Sequence, residues 1–430
     1  MKKVLIISYY WPPAGGISVL RTLKFVKYLR NFGWEPIVYA PSNAHYLYYD
    51  EKNFKDIPDN VKIIRRKIIE PFSLFKVLTG RKKDDTSNPV YAKEKSHFLD
   101  NLFIWIRGNF FIPDARCMWI KPSVKYLSKY LQNNPVDAIL TDGPPHTNTV
   151  IGMRLAQKFN IPFLADFQDP WTQVDYYKLF KLTKIADKKH KKLEQEVFYT
   201  AKKITIASPT WARELEAIGA KDVDVIYYGY DEDDFKDIKP KNDNNSFTIF
   251  HGGILGNDRN PEMFFKVLKD LLKDNSILQK KLKIKFAGTI DINVKNEIEK
   301  NGLKDYFVDL GTLPRHEVLQ LMVDSNLLLL PINKADNAKG RLPGKLYEYL
   351  RSFTPVLALG PKGSDVEKIL KETKTGILCE YDDYDCIYNF LKKILEEDIN
   401  FLPQLEAIKS FDVKEQTKKI AGFLDEITKK

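Results

Sequence analysis

The stretch KDIKPKNDNNSFTIFHGG, residues 236–253, decides how the chain is read. Its first eleven residues are polar and include Pro240, the composition of an exposed linker. Residues 247–251 then read as a buried strand that ends on Gly252-Gly253. Upstream, similar short apolar runs recur at 4–8, 36–40, 137–141, 162–166, 203–207 and 223–227. Between the first two, Leu20, Leu23, Val26 and Leu29 keep a helical spacing that Gly33 closes. Downstream, strands are predicted at 282–287, 307–310, 327–331 and 355–359, with helices over 261–272, 316–322 and 342–350. Strands alternating with helices argue a parallel sheet covered on both faces. The alternation stops at the linker and starts again, so the prediction is α/β with two Rossmann-like doubly wound domains facing each other across a cleft. The boundaries are 1–235, a linker over 236–246, 247–405, and a C-terminal helix within 406–430.

A chain of 430 residues is too long for one core and suits two. With 43% hydrophobic and 29% charged residues it is neither disordered nor fibrous. Cys117, Cys379 and Cys386 form no zinc pattern and no disulfide framework, which predicts a reducing, cytoplasmic setting. No apolar run is long enough to span a bilayer. The formal charge of +11 is uneven: residues 1–235 hold 36 basic and 27 acidic side chains, and 236–430 hold 32 and 30. A basic first half suits an anionic partner, although a lysine-rich solvated surface explains it equally well. Residues 71–120 break the alternation with a polar patch at 81–87 and a helix-like run holding Phe98, Leu102, Trp105 and Ile106, flanked by Arg107 and Arg116. Such a helical insertion suits a membrane interface or packs on its own domain.

Ligands of doubly wound sheets collect at the carboxyl ends of strands, so the residues there are the candidates. Gly15-Gly16 follows the first strand and opens a helix, where backbone amides favour an anion. It lacks the three-glycine dinucleotide fingerprint and a Walker lysine, which weakens NAD and P-loop readings. Asp142 and His146 follow one strand; Asp166, Gln168, Asp169 and Trp171 follow the next. Carboxylates there orient or deprotonate a hydroxyl and an indole stacks on a sugar, against the plainer reading of turn caps. In the second half, Gly252, Gly253 and Arg259 follow a strand. Gly344 and Lys345 open a helix, where free amides and an ammonium suit a diphosphate. Glu348 lies one turn on, placed to accept from vicinal hydroxyls; the alternative is a surface ion pair with Lys345.

Together, Tyr228-Gly229-Tyr230-Asp231 after a strand, the Gly252-Gly253 loop, the 307–311 segment and Pro343-x-Lys345-x-x-Glu348-Tyr349-Leu350 resemble family 4 glycosyltransferases of the GT-B superfamily. The 166–171 and 112–119 stretches are similar to bacterial members that build cell-surface polysaccharides. The resemblance implies a retaining, metal-independent transfer of a sugar from a nucleoside diphosphate sugar, UDP- or GDP-linked, with no cofactor. It implies a donor site of Gly252, Gly253, Arg259, Gly311, Leu313, Gly344, Lys345 and Glu348 in the second domain. It implies an acceptor site of Gly15, Gly16, Asp142, Asp166 and Trp171 in the first. Asp169, Gln168 and His146 would orient the acceptor, Lys345 and Arg259 would hold the leaving diphosphate, and cleft closure would exclude water. The last helix would cross back to the first domain. The sequence departs from the family where Gly340 stands in place of the first of two glutamates, Tyr228 in place of an asparagine, and Gly253 in place of an arginine.

Three rivals stand beside this reading. A metal-dependent GT-A enzyme would use one of the Asp-x-Asp pairs at 222–224, 231–233 or 383–385, none of which follows an apolar strand. A sugar-nucleotide epimerase shares the donor pocket, and a non-catalytic anion- or membrane-binding protein fits the basic half. Nucleic acid is the weakest partner, since no recognition motif accompanies the charge. A lipid-linked saccharide acceptor would bring the basic half against an anionic inner leaflet, making the protein peripheral on that membrane.

Overall fold

The computed structural model describes residues 1–70, 98–241, 245–273, 275–396 and 401–429; the polar patch at 81–87 lies outside them. The chain divides into two compact units, Met1–Tyr227 with Val413–Lys430, and Tyr228–Asp412.

The first unit is built on a wholly parallel sheet of β1 (Lys2–Ile7), β2 (Trp34–Pro41), β3 (Lys62–Arg66), β4 (Ala138–Gly143), β5 (Phe163–Phe167), β6 (Lys203–Ile206) and β7 (Val223–Val225), in the order β3-β2-β1-β4-β5-β6-β7. Val4, Leu5, Ile6 and Ile7 are all fully buried, and so is every residue of β4 and β5, because helices cover both faces. On one face Leu5, Ile7 and Ile139 pack with Leu127 and Leu131 of the helix Ile120–Asn133 and with Ile151 and Leu155 of the helix His146–Phe159. On the other, Val4, Ile6 and Leu164 pack with Leu23 and Val26 of the helix Ile17–Tyr28. Ile420, Ala421 and Leu424 of the last helix, Val413–Thr428, complete that second face. Strand β3 was missed in the sequence because its two isoleucines lie in a basic stretch at the sheet edge, where all but Ile64 keep some exposure.

The helix Phe98–Phe110 packs on its own unit through its last turn. A β-carbon on Gly108 would lie 2.6 Å from Phe180 Cβ, so only glycine permits this approach. Asn109 Oδ1 accepts from the Thr183 amide at 2.7 Å. Leu102 and Phe110 stay exposed.

The second unit repeats the plan with β8 (Phe247–Gly252), β9 (Leu282–Ala287), β10 (Phe307–Asp309), β11 (Leu327–Pro331), β12 (Val356–Leu359) and β13 (Gly376–Cys379), in the order β10-β9-β8-β11-β12-β13. Every pairing is parallel. Each sheet therefore reverses its strand order once, at β1/β4 and at β8/β11, the positions where such sheets open a crevice for ligand. Strand β13 was not read in the sequence, where only three apolar residues, Ile377-Leu378-Cys379, follow Gly376. The expectation that the cysteines leave no cross-link is corrected: Cys379, at the end of β13, is disulfide-bonded to Cys386 of the helix Tyr384–Leu395, with Cα atoms 5.8 Å apart. Their spacing matches no framework because the bond only staples one strand end to the helix that follows it.

The boundary between units also falls earlier than the polar linker. Glu232 accepts from Arg351 Nε at 2.6 Å, Asp234 from Arg315 at 3.2 Å, and the Tyr230 amide donates to Phe411 O at 3.1 Å. The Arg351 guanidinium lies 5.0 Å over the buried Phe235 ring. Residues 228–235 are thus tied into the second unit.

Candidate functional site

In the second unit, the loops after β8, β9 and β10 are joined by backbone hydrogen bonds. The Gly253 amide donates to Ala287 O at 2.7 Å and the Gly288 amide to Gly311 O at 2.6 Å. Gly253, Gly288 and Gly311 all have positive φ (111°, 128° and 60°), a conformation that L side chains rarely adopt. A β-carbon on Gly288 would run into the backbone of Gly253. Gly288 was missed in the sequence, although a glycine directly after β9 was the available signal.

The helix Lys345–Ser352 sits beside this turn at the β8/β11 reversal. Tyr349 Oη accepts from the Gly252 amide at 2.9 Å, which fixes the helix against β8. Gly344 is its N-cap and supplies no side-chain cap; in the first turn the Leu346 amide donates to Pro343 O at 2.9 Å. Lys345 Nζ lies 2.8 Å from the point that a β-carbon on Gly253 would occupy. Burial, then the charge of Arg259, brings the Lys345 ammonium down to about 7, with Glu348 opposing. Arg259 belongs to the short turn Asn257–Arg259 and pairs with Asp258 at 3.2 Å. His251 is fully buried, its Nδ1–H donating to Leu329 O at 2.9 Å, and burial holds the ring neutral, well below its usual range.

Glu348 is not paired with Lys345. Its carboxylate takes Arg315 Nη1 at 2.7 Å, and Arg315 also reaches Asp234. Arg315 was missed because it opens a helix remote in sequence from Glu348. Leu313 lies half-buried in the loop before that helix. The structure therefore brings Gly252, Gly253, Arg259, Gly344, Lys345 and Glu348 to one place, and Gly311 joins them through Gly288.

In the first unit the carboxylates turn inward. Asp166 receives Arg21 Nε and Nη2, both at 2.7 Å, and Thr205 Oγ1 at 2.6 Å, with both charged side chains almost wholly buried. Asp142 accepts from Ser8 Oγ at 2.7 Å, Thr22 Oγ1 at 2.6 Å and Asn148 Nδ2 at 2.7 Å. Burial raises Asp142 to about 6 against the pull of those donors. Both carboxylates thus knit β4 and β5 to neighbouring elements. Gln168 is buried and donates to Ser18 O at 3.2 Å, while Asp169 keeps partial exposure. His146 stacks on Trp171 with ring centroids 4.6 Å apart, covering one indole face. Burial lowers His146 to about 3, so it is neutral at physiological pH. Trp171 Nε1 donates to His190 Nδ1 at 3.2 Å. Gly15 and Gly16 lie in a loop tied to 48–50: the Gly15 amide donates to Tyr48 O at 2.9 Å and Gly16, at φ 87°, caps the helix Ile17–Tyr28.

The three Asp-x-Asp pairs are engaged locally. Asp222 and Asp224 both contact Lys203 Nζ. Asp231 caps the turn Glu232–Phe235, and Asp383 caps the helix Tyr384–Leu395.

Two reversed parallel sheets with a cationic glycine turn at the second reversal define the GT-B class of fold. Within it, residues 231–410 match the family described as glycosyl transferases group 1, a span that lies inside the second unit. Solved structures cover both units. The N-terminal domain of trehalose-6-phosphate phosphatase from Candida albicans aligns with 99% of this chain and 97% of its own, at 13% identity and a TM-score of 0.64. The lipopolysaccharide outer core galactosyltransferase WaaB aligns over 98% and 99%, at 14% identity and 0.56. The UDP-GlcNAc 2-epimerase from Methanocaldococcus jannaschii aligns over 99% of both chains, at 12% identity and 0.53. At such identities the likeness shows the fold alone. No curated protein sequence matches the chain at a significant level. No helix among the described residues is long and apolar enough to cross a membrane.

Proposed function

We propose that this protein is a retaining glycosyltransferase that takes a sugar from a UDP- or GDP-linked donor without a metal ion and passes it to a saccharide or lipid-linked saccharide. The observation that carries the reading is the Lys345 ammonium held against the Gly253 turn beside Arg259, at the sheet reversal of the unit that matches group 1 glycosyl transferases. A buried ammonium without a carboxylate of its own favours a dianion, and the N-terminal amides of the helix Lys345–Ser352 add to that preference. When the bond from the anomeric carbon to the diphosphate breaks, charge grows on the phosphate oxygens that Lys345 and Arg259 would face. Fixed cations there stabilise the transition state with no reorganisation at the moment of reaction. Glu348, oriented by Arg315, would accept from the ribose hydroxyls, and Leu313 would meet the base. The acceptor oxygen would bond to the same face of the anomeric carbon and give up its proton to the departing phosphate. On the acceptor side, Asp169 keeps partial exposure, whereas His146 is stacked and Gln168 is buried.

Thermal unfolding with UDP, GDP, TDP and ADP, in EDTA and in magnesium, tests the donor half. Stabilisation by one nucleotide in EDTA, lost in Lys345→Ala, is the expected result. Dependence on magnesium would overturn metal independence. Conversion of UDP-GlcNAc to an epimer, followed by NMR, would replace transfer with the epimerase chemistry.

A further inference from the structure

On the first unit, three helices leave a groove of about 610 Å³ between them. Its floor is aliphatic: Ile120 and Val124 come from the helix Ile120–Asn133, Val150 from His146–Phe159 and Leu193 from Lys184–Thr200. Its banks are basic, with Lys121 and Lys125 on the first helix and Arg154 and Lys158 on the second. The volume falls within the ~300–1,000 Å³ of ordinary ligand sites. None of these residues belongs to the donor site or to the helix Phe98–Phe110.

The four cations differ in how they are held. Arg154 Nη2 pairs with Glu196 at 3.4 Å, and Lys158 Nζ donates to Ser128 Oγ at 3.0 Å. Lys121 and Lys125 are exposed, and among the described residues no ion pair or hydrogen bond engages either ammonium. The same holds for Lys129, one turn further along, and the helix Ile120–Asn133 has no acidic residue of its own. Lysines four apart on one helix repel one another. An anion laid against them would reverse the sign of that interaction. The groove thus sets an uncompensated row of positive charge beside an aliphatic strip, and its occupant must be anionic and apolar at once.

An extended peptide fits this less well than a lipid. It would bring backbone amides and carbonyls into the groove, where Ser128 is the one uncharged polar side chain of the lining among the described residues, already bonded to Lys158. A hydrocarbon chain has no such groups to satisfy. A phosphate suits lysines, which act as mobile point charges. Lysine stems also lie along apolar surface while their ammonium groups stay in water, as side chains do at a lipid interface.

We propose that this groove docks the first unit on an anionic membrane, with a phospholipid phosphate on Lys121 and Lys125 and the start of its acyl chain over Ile120, Val124 and Leu193. The inference goes beyond the transfer reaction proposed above and stands without it.

The test is co-sedimentation of the full chain with vesicles of phosphatidylcholine alone and of phosphatidylcholine mixed equally with phosphatidylglycerol. Binding to the mixed vesicles is expected to be tighter by about tenfold or more. It should weaken as salt rises from about 0.1 M to about 1 M, which shortens the Debye length from about 10 Å to about 3 Å. Lys121→Gln with Lys125→Gln is expected to weaken it about 10- to 30-fold, the loss of two near-surface cations, with the circular dichroism spectrum and melting temperature unchanged. Removing the same charge from two exposed lysines of the second unit, by Lys280→Gln with Lys371→Gln, is expected to change it by less than about twofold. Equal binding to both kinds of vesicle, or equal losses in the two double variants, would overturn the proposal. Polyglutamate bound as tightly as the mixed vesicles, and weakened by the same Lys121 and Lys125 changes, would replace the lipid with an acidic peptide. UDP binding measured in the same samples reports on the second unit. Vesicle binding kept without UDP binding would sink the transferase reading alone, and the reverse would sink this inference alone.

Discussion

Lys345 Nζ occupies the space that a side chain on Gly253 would need, 2.8 Å from the β-carbon position. The family resemblance places an arginine at residue 253, directly after Gly252. Here Lys345, from the helix Lys345–Ser352, fills that volume, beside a glycine of positive φ, 111°.

Replacing Lys345 by alanine is expected to weaken nucleoside diphosphate binding by about 10- to 100-fold, the loss of one or two charge-assisted hydrogen bonds. The unit should stay folded, since removing a desolvated cation relieves strain. Calorimetric titration with UDP or GDP checks this, and unchanged affinity would remove Lys345 from the donor site.

The same lysine sets a pH dependence. Its ammonium titrates near 7 in the free protein, and a bound diphosphate would raise that value. Affinity is therefore greatest below about pH 7 and falls as pH rises through it, by at most about tenfold per unit. In Lys345→Ala this slope is expected to vanish, which titrations from pH 6 to 9 would reveal.

Gly288→Ala is expected to destabilise the second unit by about 2–4 kcal/mol, combining a positive-φ penalty with overpacking against Gly253. Denaturant unfolding measures it. A neutral effect would mean that the three glycine loops are less tightly joined than their hydrogen bonds indicate.

Arg21→Met leaves the Asp166 carboxylate buried without its partner and should cost the first unit about 3–5 kcal/mol. Asp166→Asn is expected to cost less, because an amide still accepts from Thr205 and strands only part of the guanidinium. Comparing the two by urea denaturation separates a structural pair from an acceptor-binding carboxylate.

Asp142 supplies a test with the opposite sign to an ordinary carboxylate. Its folded value, about 6, lies above the unfolded one, so its contribution to stability is full below about pH 4 and is lost as pH rises through 6. A shift of about two units corresponds to about 3 kcal/mol. The difference in unfolding free energy between wild type and Asp142→Asn is expected to fall across that window. A flat difference would show that the carboxylate is not desolvated.

The second unit was the more readable of the two. Gly252-Gly253 and the Pro343–Glu348 motif are local, and local spacing survives folding: one turn of helix puts Lys345 and Glu348 near each other whatever surrounds them. What spacing did not supply was Arg315, which takes Glu348 away from Lys345 and comes from another helix. The first unit was less readable for a related reason. Asp142 and Asp166 end their strands, as a cleft site requires, but successive strand residues point to opposite faces and sequence alone does not say which face meets Arg21 or Thr22. Arg21 and Thr22 lie more than a hundred residues from them, so no periodicity announces those pairings. The parallel sheets followed from alternation, whereas the edge strand β3 and the Cys379–Cys386 bond depended on neighbours that composition does not encode.

The chain leaves the first unit after Tyr227 and re-enters it at Val413. During synthesis, the face of the first sheet formed by Val4, Ile6 and Leu164 must therefore wait for Ile420, Ala421 and Leu424, which are made only after the whole second unit. The first unit is begun before the second and finished after it, with an uncovered apolar surface while the ribosome works through the intervening residues. Premature termination just before Val413 would release a complete second unit attached to an unsealed first one, and quality control would meet that species as a misfolded protein.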